Sequence, residues 1–101
     1  MFKFKNRERG QNMKAVVTVI GKDSIGIIAE VSGICSAYGA NIVDITQSVM
    51  REYFAMIMLV ELAELKVGFS EFADALASRG AEKGLEIRAM HEDIFNTMHH
   101  I

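Results

Sequence analysis

Residues 14–47 read KAVVTVIGKDSIGIIAEVSGICSAYGANIVDITQ, and their hydrophobic period changes twice. Lys14–Ile20 is short and β-branched, which predicts a strand. Its apolar residues fall on both faces: Ala15, Val17 and Val19 on one, Val16 and Ile20 on the other. GKDSIG, residues 21–26, is a loop by composition. Ile27, Ile28, Val31, Ile34, Cys35 and Tyr38 then recur at helical spacing, and Gly39 stops that helix as a C′ glycine does. Asn41–Met50 alternates Val43, Ile45 and Val49 against Asp44, Thr46 and Ser48, the pattern of a half-buried strand.

The remainder repeats the order. Tyr53–Leu62, YFAMIMLVEL, is apolar on both faces and reads as a central strand, with Arg51-Glu52 as the hairpin turn before it. Ser70 offers an N-cap, and Phe69, Phe72, Ala73, Leu76 and Ala77 mark a second amphipathic helix. Gly80 interrupts this helix and Gly84 ends it. Leu85–His91 alternates again, and Asp93–Ile101 forms a short tail helix with Asp93 as its cap.

Two β-α-β crossovers, each right-handed and each leaving room for a third strand, give an α+β, ferredoxin-like βαββαβ sandwich. A four-stranded antiparallel sheet carries two helices on one face, plus the short C-terminal helix. The first and third strands must be the central pair. Both are apolar on both faces, so the sheet face away from the helices is expected to be covered by the tail helix, by a second copy, or by both.

The chain has 101 residues, half of them hydrophobic and 24% charged, with no Pro and one Cys. That suffices for one globular domain and excludes an intrachain disulfide and the Cys-rich zinc sites. No apolar run approaches a membrane span, and the N-terminus has no signal-peptide core, so a cytoplasmic location is expected. Residues 1–12 hold four basic residues and one acidic, a charge of +3; residues 13–101 hold seven basic and twelve acidic, a charge of −5. An acidic body argues against a nucleic-acid platform. Residues 1–12 are read as a flexible or added N-terminal extension, with Met13 as the domain's own start and 13–101 as the single domain.

The GKDSIG loop leads into a helix N-terminus, whose free N–H groups favour a carboxylate or another anion. Gly26 permits close approach, and Asp23 can accept from an ammonium group. Together these suit a zwitterionic amino acid. The same residues also fit a plain turn, with Asp23 or Ser24 capping the helix.

Gly-Lys-Asp-x-x-Gly-Ile after the first strand, Val31-Ser32 in the helix, and Gly39-x-Asn41-Ile42-x-Asp44 entering the second strand together resemble an ACT domain. The Met-rich third strand and the His91-Glu92-Asp93-Ile94-Phe95 ending resemble the small stand-alone ACT proteins. These are similar in turn to the ACT modules of the glycine-cleavage-system transcriptional repressor. The likeness spans Met13–Ile101. It implies a regulatory, non-enzymatic homodimer with a small-molecule ligand, an amino acid, held between two domains. By position it points to Asp23, Ser24, Ile25 and Gly26 on one side and Gly39, Ala40 and Asn41 on the other. Asn41 offers both a donor and an acceptor. Many members have Pro where this chain has Ile25. The alternative function is a ligand-free module whose dimer face and tail helix, with Phe95 and Met98, dock onto an enzyme or a transcription factor.

Other chemistry finds little support. His91, His99 and His100 with Glu92 and Asp93 do not give the converging geometry a metal needs, and no metal or cofactor is expected. Cys35 lies on an apolar helix stripe and is assigned to packing; Met50, Met56, Met58 and Met90 are adaptable packing residues, expected to line either the core or the partner face. The fold also hosts RNA-binding domains, copper chaperones and acylphosphatases. Here the central strands lack a basic aromatic platform, no CxxC is present, and the first loop holds Lys22 where a phosphatase needs arginine.

Overall fold

The computed structural model describes residues 13–22 and 26–98. Its elements run β1 (Lys14–Gly21), α1 (Ile27–Tyr38), β2 (Asn41–Met50), β3 (Tyr53–Glu61), α2 (Phe69–Glu82), β4 (Glu86–His91) and α3 (Glu92–Met98). The strands form one antiparallel sheet in the order β2-β3-β1-β4, so β1 and β3 are the central pair as their doubly apolar sequences require. Residues 1–12 and 99–101, including the extension and His99 and His100, lie outside the described residues.

The core sits between α1, α2 and one sheet face. Val17 lies opposite Met58 and Val19 opposite Met56, all fully or almost fully buried, with Val31, Cys35, Phe72 and Leu76 laid over them. Tyr38 and Phe69 flank Phe72 at ring-centroid distances of 6.1 and 6.3 Å. His91 stacks on Phe69 at 4.1 Å. Glu30 on α1 pairs with Arg79 on α2 at 2.5 Å, joining the two helices at the surface.

Four local expectations are corrected. Gly80 does not interrupt α2; a Cβ there would stand 2.8 Å from Ile87 Cγ1 and 2.9 Å from the Leu85 carbonyl, so it is where the helix backbone meets β4. Ser70 is not the N-cap. The helix starts at Phe69 after Gly68, because Phe69 is drawn in against Phe72 and His91. Asp93 lies inside α3, which begins at Glu92. The simple alternation of β2 fails at its start: the ladder shifts between Ile42 and Asp44, leaving Val43 as a bulge, 47% exposed. Most of β2 is exposed, since it is the edge strand.

The hairpin turn is Arg51-Glu52, with Met50 paired to Tyr53. Arg51 takes φ 58°, a conformation glycine would hold more easily. On the sheet face away from α1 and α2, Val16 is buried at 5% exposure, and α3 packs against β1 and β4. Ile20, Tyr53 and Ile57 on the same face remain open, at 53%, 50% and 44%.

Candidate functional site

Gly26 is the N-cap of α1, in the left-handed region at φ 75°, with no side-chain capping bond to the helix. A Cβ added there would meet nothing within 4 Å. Among the described residues no side chain caps the first-turn N–H groups of α1, the groups that an outside acceptor would use. Asp23, Ser24 and Ile25 lie outside the described residues. Lys22, at the other end of this loop, stands over the Tyr53 ring at 5.8 Å and ties the exit of β1 to the start of β3.

Gly39, Ala40 and Asn41 form the opposite end of α1. Gly39 is left-handed at φ 85°, and the Ala40 amide donates to the Cys35 carbonyl at 2.8 Å. Ala40 is buried, so it supplies backbone rather than a side-chain surface. The 63–66 segment crosses closely over Gly39: the Lys66 amide donates to the Tyr38 carbonyl at 2.9 Å, and any Cβ at Gly39 would collide with the Glu64 carbonyl. Asn41 is exposed. Its Nδ2 donates to Glu61 Oε1 at 3.1 Å across the β2–β3 pair, which fixes the amide in place. Composition gave no sign of Glu61 as this partner; only the strand register finds it.

Gly26 and Gly39 do not meet within one chain. A helix of twelve residues separates Gly26 from Gly39, a span of about 18 Å at 1.5 Å per residue. Beside α1 lies an open groove of about 500 Å³, lined by Ala29, Gly33, Ala37 and Tyr38 and by the Glu30–Arg79 pair. Among the described residues no group of three His, Cys, Asp or Glu is placed to hold a metal, and no helix is long and apolar enough to cross a membrane. Cys35 is fully buried on α1, and burial pushes its thiol up to about 11, the state of a packing residue rather than a nucleophile.

Comparison with known proteins agrees with this architecture. A UPF0237 protein of Clostridium acetobutylicum is 46% identical over 89 residues, which cover 88% of this chain and the whole of that one. A UPF0237 protein of Methanopyrus kandleri is 43% identical over 88 residues, covering 87% of this chain and 98% of the relative. An ACT domain protein from Streptococcus pneumoniae superposes with a TM-score of 0.72 at 38% identity, over 82% of this chain and 93% of that one. A putative glycine cleavage system transcriptional repressor shares the fold, with a TM-score of 0.65 at 22% identity over 78% of this chain and 45% of its own. The regulatory subunit of aspartate kinase from Thermus thermophilus matches at 0.59 and 28%, over 77% of this chain and half of that one. Residues 14–90 match the ACT domain family, and the chain belongs to it.

Proposed function

We propose that this ACT domain is a non-enzymatic cytoplasmic regulator that binds an amino acid as a homodimer. Asp23, Ser24, Ile25 and Gly26 of one copy would hold the ligand against Gly39, Ala40 and Asn41 of the other. The observation that carries this is the separation of the two segments by the length of α1. Two copies related by a twofold can supply one segment each, and one copy alone cannot. The N-terminus of α1, without a side-chain cap, suits the ligand carboxylate, and Asp23 suits the ammonium group. Asn41, bonded to Glu61 through Nδ2, would offer its carbonyl oxygen to the ligand as an acceptor. A regulatory protein among the solved structures at 28% identity fits the same role.

The test is thermal unfolding against a panel of amino acids and small carboxylic acids at fixed protein concentration. A ligand at about a hundred times its dissociation constant adds roughly 2.7 kcal/mol, several degrees for a domain of this size. A shift with one compound that is lost in Asp23→Ala, Asn41→Ala supports the site. A shift that survives the double substitution overturns it.

The second reading is a ligand-free module that regulates an enzyme or a transcription factor. Ile94 and Met98 on α3 are exposed, and they favour it. It would be supported if no compound shifted the wild type and if Ile94→Ser, Met98→Ser released a bound partner.

A further inference from the structure

A surface helix ordinarily turns charge outward, as α2 does with Glu71, Asp74, Arg79 and Glu82. The helix α1 does not. Its twelve residues include one charge, Glu30, and its exposed side is made of Ile28, Ala29, Gly33, Ser36 and Ala37. Ala29, Gly33 and Ala37 recur every fourth residue, which puts them on one face. Together with the half-buried Ile34 and Tyr38 they line the open groove beside α1. At Gly33 a Cβ would meet nothing within 4 Å.

Size, charge and position decide what the groove takes. It holds about 500 Å³, within the range of small-molecule sites, and like them it is mostly apolar with a few polar groups. A helix face about 18 Å long and about 10 Å across offers only about 180 Å². That is far short of the roughly 800 Å² per partner of a stable protein interface. The charged rim is closed: Arg79 bonds to Glu30 at 2.5 Å, and the two charges cancel. The groove also includes Gly26, the N-cap of α1 that the amino-acid reading gives to the ligand.

We propose that this groove receives the side chain of the bound amino acid, and that the ligand is one with a large apolar side chain, branched aliphatic or aromatic. This rests on the amino-acid reading and names the class within it. With the carboxylate at the first-turn N–H groups of α1, the side chain runs back along the helix. Ala29 and Gly33 lie about 4.5 and about 10.5 Å along the axis from Gly26. Leucine, isoleucine or phenylalanine reaches this apolar lining; glycine, alanine or serine ends short of it. A charged side chain finds the Glu30–Arg79 pair already satisfied.

Calorimetric titration of the full chain with leucine, isoleucine, phenylalanine, alanine, serine, lysine and glutamate tests the class. One of the three large apolar amino acids should bind at least about tenfold tighter than alanine. Gly33→Leu and Ala29→Leu each fill the groove with a good helix former. Circular dichroism should match the wild type in both, and the preference over alanine should fall to about one. Tightest binding of a small or charged amino acid, or an unchanged preference in both variants, overturns the proposal and leaves the amino-acid site standing. Absence of binding by every amino acid overturns both. A groove that seats a helix of a second copy instead would show itself in sedimentation equilibrium. Both variants would then lower the mass and leave the preference as it was, which also overturns the proposal.

Discussion

Asn41 and Glu61 hold each other across the edge of the sheet, amide nitrogen to carboxylate oxygen, at 3.1 Å. The bond occupies the amide nitrogen and restrains the side chain at the start of β2. Glu61→Ala should therefore reduce amino-acid affinity without removing a residue of the site. About 1 kcal/mol of lost positioning is a fivefold weaker dissociation constant by calorimetry. Glu61→Gln, which can still accept, should restore most of it.

The proposed site draws one half from each copy, so two defective chains should repair each other. Asp23→Ala and Asn41→Ala chains, each inactive alone, mix into heterodimers with one intact and one doubly defective site. Random mixing of equal amounts makes about half the dimers hetero, so about a quarter of all sites recover. Titration of the mixed sample should give that stoichiometry. Recovery of none would place both residues in the same half.

Gly39 and Gly26 share a left-handed backbone but differ in surroundings. Gly39→Ala must displace the Glu64 carbonyl as well as strain φ, and should cost about 3 kcal/mol or more. Gly26→Ala meets open space and should cost only the conformational part, about 1 kcal/mol. Urea midpoints of the two variants measure the difference.

Gly80→Ala should destabilise the domain even though alanine is the better helix former. The helix-propensity gain of about 1 kcal/mol is opposed by overpacking of about 1–3 kcal/mol against Ile87 and the Leu85 carbonyl. A net loss should appear as a lowered Tm.

Cys35 gives a pH signature. Burial raises its thiol from 9.0 to about 11, so the native state keeps the proton where the unfolded chain releases it. The stabilisation linked to that proton is complete below about 9 and is lost as pH rises toward about 11. Cys35→Ala should show a shallower fall in stability over that window. Alkylation of Cys35 at pH 8 should require unfolding.

Much of the fold was legible because its punctuation is local. Gly39 ended α1 where expected, and the doubly apolar β1 and β3 took the centre of the sheet. The misread features depend on distant neighbours. Gly80 looked like a breaker because Ile87 and Leu85, which need its missing side chain, are remote in period. Ser70 looked like a cap because the pull of His91 on Phe69 cannot be read from helix spacing. The site residues were nameable one by one. That Gly26 and Asn41 stand at opposite ends of one helix was legible too; the Asn41–Glu61 bond was not, because it depends on the strand register.

The bulge at Val43 has a consequence for Asn41. Counted back from Thr46 by strict alternation, Asn41 would turn toward α1 and α2, where an amide would enter an apolar layer. The extra residue reverses the phase, so Asn41 and Asp44, three positions apart, look to the same side. Gain or loss of a single residue between Ile42 and Asp44 is thus a means by which descendants of this chain could acquire or abandon an outward amide, while every strand downstream keeps its place.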